Sequence, residues 1–79
     1  MKIKILGTGC SRCKTLEKIA RNVVAEMGIN AEIEKEEDIV KIINYGIMHT
    51  PGLVINEKLI LSGRIPTSDE MKEFITKNQ

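Results

Sequence analysis

Two cysteines spaced C-x-x-C stand at the boundary between two different patterns of apolar residues. Before them, residues 2–6 alternate lysine with isoleucine, which predicts a strand that ends at Gly7. After them, apolar residues recur at helical spacing over residues 16–27, which predicts an amphipathic helix. Cys10 and Cys13 are the only cysteines in the 79 residues. The fold must therefore place both sulfurs between the end of a strand and the start of a helix.

The start of a helix favours the thiolate form of a cysteine. The first backbone N–H groups of a helix have no partner within it and form the positive end of its dipole, so we expect a lowered pKa and a nucleophilic thiolate at Cys10. We expect the Cys13 side chain on the neighbouring turn, close enough to attack a mixed disulfide formed by Cys10. This arrangement is typical of a dithiol–disulfide redox couple; the simpler interpretation is a pair of buried, small apolar residues. Arg12 either favours the Cys10 thiolate further or projects into solvent.

The rest of the chain adds three strands and two helices. Residues 30–36 alternate apolar with charged side chains and predict a second strand at a sheet edge. Asp38 is a candidate cap for a helix in which isoleucines recur at helical spacing. Apolar triplets at residues 53–55 and 59–61 predict a hairpin of buried strands, and Thr67 opens a capping-box sequence before the last helix.

These elements follow the order β-α-β-α-β-β-α within a single domain that spans residues 1–79. A β-α-β unit is expected to have a right-handed crossover and parallel strands, whereas the closing hairpin is antiparallel. We therefore predict an α/β fold with a four-stranded mixed sheet and helices on both of its faces.

The composition argues against several classes of function. A net charge of +1 gives no reason to expect binding to nucleic acid or to an anionic membrane, and only Tyr45 and Phe74 are aromatic. No apolar run approaches the roughly 20 residues of a membrane span, so we expect a cytoplasmic protein. We also expect a monomer. Because that compartment is reducing, we expect the cysteine pair to be catalytic or metal-binding and not a structural disulfide.

The element order, with Cys10-Ser11-Arg12-Cys13 opening the first helix and Thr50-Pro51 just before the hairpin, resembles the thioredoxin fold. The short chain is most similar to the small glutaredoxin-like thioredoxins of bacteria and archaea. The resemblance implies that Cys10 attacks a disulfide, that Cys13 resolves the mixed disulfide, and that the Thr50–Pro51 bond is cis. It also implies a substrate groove, to which we assign Ser11, Arg12, Thr50, Pro51 and Gly63.

The same resemblance implies the partners of the reaction. The substrates would be protein disulfides, the electron donor would be similar to thioredoxin reductase, and no cofactor would be needed besides a redox-active Cys10–Cys13 disulfide. The chain departs from larger thioredoxins because it has no tryptophan. Its first strand also offers only Lys2 and Lys4 as ionisable groups, so the buried acid beneath the cysteines of larger thioredoxins has no counterpart there.

Two other functions stay open from the sequence. Residues 7–13 are also similar to the Gly-Met-x-Cys-x-x-Cys loop of small copper and mercury chaperones, and two thiolates suit soft metal ions. Those chaperones follow the order β-α-β-β-α-β, which would require extended backbone over residues 38–47. The other candidate is a non-catalytic binding module that uses the groove near Pro51. Such a module would keep its binding after Cys10→Ser, whereas an oxidoreductase would lose turnover.

Overall fold

The residues that the structure describes form four strands and three helices in the predicted order. The computed structural model describes residues 1–9, 11–47 and 49–79, so Cys10 and Met48 lie outside the described residues. The elements are β1 (Lys2–Leu6), α1 (Ser11–Met27), β2 (Glu32–Glu36), α2 (Ile39–Asn44), β3 (Gly52–Ile55), β4 (Lys58–Ser62) and α3 (Ser68–Lys77). Within the described ranges, no helix combines the length and the apolar character that a membrane span requires.

The strands form one mixed sheet in the order β2-β1-β3-β4. β1 runs parallel to β2 and antiparallel to β3, and β3 runs antiparallel to β4. At the end of β1, Leu6 lies opposite Glu36 on one side and Gly52 on the other. Gly52 in turn lies opposite Ser62 at the end of β4. The segments that follow β1, β2 and β4 therefore meet the segment that precedes β3 at one end of the sheet.

Apolar side chains on the two faces of the sheet form two separate clusters. Because successive side chains of a strand point to opposite faces, Ile3 and Ile5 of β1 face one helical layer and Leu6 faces the other. The first cluster packs the sheet against α1 and α3; its buried members are Ile3, Ile5, Leu16, Ala20, Val23, Leu53, Ile55, Leu61, Met71 and Ile75. The second packs the sheet against the α2 segment; its buried members are Leu6, Ile42, Ile47 and Val54. The prediction of a mixed sheet with helices on both faces is confirmed.

Two elements are less buried than their apolar residues suggest. In α2, which is six residues long, Ile42 is buried but Ile39 and Ile43 are 54% and 59% exposed. In β4, Leu61 is buried whereas Leu59 is exposed. The prediction of two buried hairpin strands is therefore correct for β3 and wrong for β4, because β4 is an edge strand with a neighbour on one side only.

Capping explains where the second and third helices begin. The Asp38 carboxylate accepts a 2.9 Å hydrogen bond from the Val40 N–H at the start of α2. At the start of α3, Thr67 and Glu70 form a reciprocal capping box with hydrogen bonds of 3.1 and 3.0 Å. Since α2 is helical, the described residues lack the extended segment over 38–47 that the metal-chaperone order requires.

Candidate active site

Cys13 lies in the first turn of α1, and only 5% of the residue is exposed. Its side chain faces Gly7, the residue that follows β1. A β-carbon at residue 7 would lie 3.0 Å from the Cys13 Cβ and would overlap the Cys13 sulfur. The Gly7 N–H donates a 3.0 Å hydrogen bond to the Glu36 carbonyl, which holds this backbone beside the end of β2. Residue 7 must therefore be glycine for the sulfur to occupy its place.

Cys10, the predicted attacking cysteine, lies outside the described residues, so its lowered pKa stays a prediction. The residues on either side of it are described. Gly9 has a φ of +86°, in the left-handed region that glycine adopts readily, and Ser11 begins α1 in an exposed position. The chain therefore turns at Gly9 between the strand and the helix, as the glycines of the sequence suggest.

The loops before β3 and after β4 are connected to the start of α1. The Thr50–Pro51 peptide bond is cis, which confirms what the resemblance implies. Pro51 is buried, and its carbonyl accepts a 2.8 Å hydrogen bond from the Gly63 N–H. The Gly63 carbonyl accepts a 3.2 Å hydrogen bond from the Arg12 guanidinium. The structure thus brings together three residues of the predicted groove: Arg12, Pro51 and Gly63.

The other residues around the groove are placed less tightly. Thr50 is half-buried beside Pro51, and Ser11 is exposed, with its carbonyl accepting a 3.0 Å hydrogen bond from the Thr15 hydroxyl. In the described part of the chain, no hydrogen bond joins Ser11 to Pro51 or Gly63. Gly63 has a φ of +77°, and a β-carbon there would lie 3.1 Å from the Cβ of the exposed His49.

A pocket next to Cys13 contains charged groups that the sequence did not identify. Besides Cys13, Ile5 and two glycines, it is lined by Lys14, Glu17, Lys35 and Glu37. Residues four apart lie on one face of a helix, so Glu17 shares the Cys13 face of α1. The carboxylates of this pocket therefore come from Glu17 of α1 and from Glu37 after β2, whereas strand β1 contributes no acidic residue.

Glu17 is held as a carboxylate by two cations. Its side chain is only 14% exposed, and it lies 2.8 Å from an Arg21 nitrogen and 3.3 Å from the Lys35 Nζ. The hydrogen bond from Arg21, followed by the one from Lys35, lowers the pKa of Glu17 despite the opposing effect of burial. In the sequence, Glu17 lies four residues from both Cys13 and Arg21, and this spacing alone indicates that the three share one face of the helix. The contact with Lys35 joins α1 to β2, and nothing in the neighbouring sequence predicts it.

A second polar group lies on the α2 face of the sheet. The Lys4 Nζ donates a 2.8 Å hydrogen bond to the Tyr45 hydroxyl and lies 3.2 Å from a Glu57 oxygen. The Tyr45 hydroxyl donates a 3.1 Å hydrogen bond to the other Glu57 oxygen. The hydrogen bonds to Tyr45 and then Glu57 raise the pKa of Lys4. This Lys4–Tyr45–Glu57 network ties the end of α2, from which the chain continues toward Pro51, to β1 and to the β3–β4 turn.

Metal ligands are not grouped on this surface. Across residues 1–9, 11–47 and 49–79, no three side chains of histidine, cysteine, aspartate or glutamate come together in a way that could hold a metal ion. A site made by Cys10 and Cys13 would include a residue outside these ranges.

Comparison with known proteins identifies the family. Residues 1–76 match the family model described as thioredoxin domain. A thioredoxin of Methanothermobacter thermautotrophicus is 42% identical over 76 residues, which cover 96% of this chain and 99% of the relative. A thioredoxin of Methanocaldococcus jannaschii is 37% identical over 71 residues, covering 90% of this chain and 81% of the relative. A probable thioredoxin of Archaeoglobus fulgidus is 32% identical, covering 86% and 77%. With the fold and the position of Cys13 described above, these matches mean that the chain belongs to the thioredoxin family.

Proposed function

We propose that this protein is a thiol–disulfide oxidoreductase that reduces disulfide bonds in other proteins. The observation that carries the proposal is the buried Cys13 sulfur, packed against Gly7 in the first turn of α1, with the second cysteine three residues earlier in the sequence. The relatives named thioredoxin, which are up to 42% identical, support the same activity.

The burial of Cys13 supports different roles for the two cysteines. A folded protein substrate can only meet an accessible sulfur, and Cys13 is 5% exposed. The first attack on the substrate therefore falls to Cys10, which precedes the helix. Cys13, which is buried in the first turn of α1, then acts second, on the sulfur of Cys10.

The proposed cycle exchanges disulfide bonds and requires no cofactor bound to this chain. The Cys10 thiolate attacks one sulfur of the substrate disulfide, the S–S bond breaks, and the other substrate sulfur leaves as a thiolate. Cys13 then loses its proton to solvent and attacks the Cys10 sulfur, which releases the second substrate thiolate. Two electrons have passed to the substrate, and a Cys10–Cys13 disulfide remains. A reductase similar to thioredoxin reductase would return two electrons and restore both thiols.

The groove beside Pro51 is the proposed contact surface for the substrate chain. Its residues are Ser11, Arg12, Thr50, Pro51 and Gly63. Because Gly63 has no side chain, the backbone at this position passes close to the His49 Cβ, and its N–H and carbonyl stay available to bond Pro51 and Arg12. The hydrogen bonds from Gly63 to Pro51 and from Arg12 to Gly63 keep this surface in one shape before the substrate arrives. All five residues belong to one chain, so we propose a monomer as the active form.

The variant Cys13→Ser tests the proposal. With Cys10 intact and the second sulfur absent, a mixed disulfide should accumulate, and mass spectrometry should detect a covalent adduct with insulin that dithiothreitol releases. The matched variant Cys10→Ser should form no adduct and should not reduce insulin. Absence of adducts with Cys13→Ser, or turnover by Cys10→Ser, would contradict the proposed function.

A further inference from the structure

Arg12 differs from the other two arginines in how its charge is compensated. Arg21 lies 2.8 Å from the Glu17 carboxylate, and Arg64 lies 3.2 Å from the Glu70 carboxylate. Arg12 is exposed and donates its hydrogen bond to the uncharged Gly63 carbonyl. Of the carboxylates that the structure describes, none forms an ion pair with Arg12. Among the described residues, the charge of Arg12 therefore has no ion-pair partner, and in the sequence it stands between Cys10 and Cys13.

The Arg12 guanidinium lies at the edge of the proposed substrate groove. Arg12 lies between the two cysteines in sequence, and its guanidinium contacts Gly63, which is itself bonded to Pro51. A guanidinium carries five N–H donors, so the contact with Gly63 leaves donors that face outward. Two parallel N–H groups of arginine match the two oxygens of a carboxylate, which makes arginine well suited to bind one at a surface.

The acidic segment that follows β2 lies at the opposite edge of the sheet from Gly63. Glu37 follows β2, whereas Gly63 follows β4, and β1 and β3 lie between them. Three strand spacings separate the two edge strands, which corresponds to about 14 Å. This separation of the two strand ends exceeds the screening length of about 8–10 Å at moderate ionic strength, and within the described ranges Glu37 forms no ion pair with Arg12.

We propose that Arg12 is a specificity residue that favours protein disulfides flanked by aspartate or glutamate. The proposal rests on the proposed function of the same site, and it names the class of substrate that the site prefers. Arg12 keeps one N–H on the Gly63 carbonyl and offers the others to the substrate carboxylate. The bond to Gly63 holds the guanidinium at the edge of the groove.

Three synthetic peptides with the same disulfide test this preference. Their flanking residues are glutamate, glutamine or lysine, and each peptide's rate is divided by its rate with dithiothreitol, which removes differences in intrinsic reactivity. The wild-type protein should reduce the glutamate peptide with a kcat/KM about two- to fivefold above that of the lysine peptide, the range expected for one exposed ion pair. The preference should decrease as salt is added.

Substitutions assign the preference to one side chain. Arg12→Gln should bring the glutamate-to-lysine ratio close to one, and Arg12→Lys should restore part of it because the point charge is kept. Lys18→Gln, which removes an exposed charge further along α1, is the matched control and should keep the wild-type ratio. The ratio is independent of any change in the Cys10 pKa, since such a change affects all three peptides equally.

The outcomes separate this inference from the proposed function. If the wild-type protein reduces none of the three peptides, both the oxidoreductase proposal and the proposed preference for acidic substrates are wrong. If it reduces all three at equal normalised rates, the oxidoreductase proposal stands and the acidic preference is wrong. If the preference survives in Arg12→Gln, the assignment to Arg12 is wrong.

Discussion

Gly7 and Cys13 are in contact across the junction of β1 and α1, and the Cys13 sulfur occupies the space that a side chain at residue 7 would need. Protein interiors are packed closely, so an added methyl group must displace its neighbour. The pocket lined by Lys14 and Glu17 is the volume into which the sulfur would move. A change at residue 7 should therefore alter both the packing of Cys13 and the geometry of its proposed attack on Cys10.

Gly7→Ala should destabilise the protein and slow the second chemical step. Overpacking by one methyl group should lower the free energy of unfolding by about 1–3 kcal/mol, measured by urea denaturation. The displaced sulfur should also release thiol more slowly from a preformed mixed disulfide at Cys10, measured in a single turnover. The first step, attack by Cys10, should change less because it does not involve Cys13.

Gly28→Ala is the control for the loss of stability. Residue 28 has a φ of +65°, and a β-carbon added there would have no neighbouring atom within 4 Å, so alanine meets backbone strain but no clash. It should cost about 1 kcal/mol of stability and leave the release rate unchanged. A wild-type release rate in Gly7→Ala would show that Cys13 tolerates the displacement.

Arg12→Ala should raise the pKa of Cys10. The guanidinium lies two residues from Cys10 in sequence and is held at the Gly63 carbonyl, and a nearby positive charge favours a thiolate. An exposed charge of this kind is worth about 0.4–1 kcal/mol, which corresponds to a shift of roughly 0.3–0.7 pH units. The alkylation rate with iodoacetamide as a function of pH, measured in a Cys13→Ser background, reports this pKa. Lys18→Ala should leave the profile unchanged, and an unchanged profile in Arg12→Ala would exclude the effect.

The fold could be predicted where one face of an element is fully covered. Alternation over residues 2–6 and helical spacing over residues 16–27 identified β1 and α1, because the isoleucines of β1 and the apolar stripe of α1 pack into one core. The same spacing identified α2 but not its exposure. Periodicity shows which side of a helix carries the apolar residues. It does not show how much of that side is buried by neighbouring elements. α2 packs only Ile42 tightly, so Ile39 and Ile43 stay largely exposed.

The site could be predicted only as a set of residues. The C-x-x-C motif and Thr50-Pro51 stand out in the sequence, and the structure confirms the cis bond between Thr50 and Pro51. The contacts between these segments could not be predicted. Arg12 reaches Gly63 across 51 residues of sequence, and Lys35 of strand β2 reaches Glu17 of helix α1. Contacts of this kind depend on strand order and register, for which local spacing carries no signal.

Glu17→Gln should reduce stability at neutral pH but not at low pH. The pKa of Glu17 is lowered in the folded protein, mainly by its hydrogen bond with Arg21, so the ionised carboxylate stabilises the fold. This contribution is present above the pKa of the unfolded chain, about 4.3, and is lost as the pH falls through the lower folded pKa. The variant should lose about 1 kcal/mol at pH 7, and the difference from wild type should shrink below about pH 4.

Glu73→Gln is the matched control for this acid dependence. Glu73 also forms an i,i+4 pair, with Lys77 at 3.1 Å, but its side chain is 61% exposed. Its removal should cost less than about 0.5 kcal/mol at any pH. Urea denaturation of both variants at pH 7, 5, 4 and 3 makes the comparison. A Glu17→Gln difference that stays constant with pH would mean that packing, and not charge, accounts for its effect.

The Lys4–Tyr45–Glu57 network compensates for strain in the β3–β4 turn. Asn56 and Glu57 have φ values of +50° and +69°, a conformation typical of tight hairpins but unfavourable for glutamate. Glu57→Gln weakens the hydrogen bonds to Lys4 and Tyr45 but keeps the strained backbone conformation. Glu57→Gly removes the side chain's hydrogen bonds and also relieves the backbone strain. Where relief of this strain exceeds the hydrogen bonds that glutamine keeps, the glycine variant is more stable than the glutamine variant, and this is the result we expect. In a Tyr45→Phe background, which itself should cost about 1 kcal/mol, Glu57→Gly should become neutral or stabilising relative to that background. Equal stability of the glycine and glutamine variants would mean that the turn holds no strain for the network to offset.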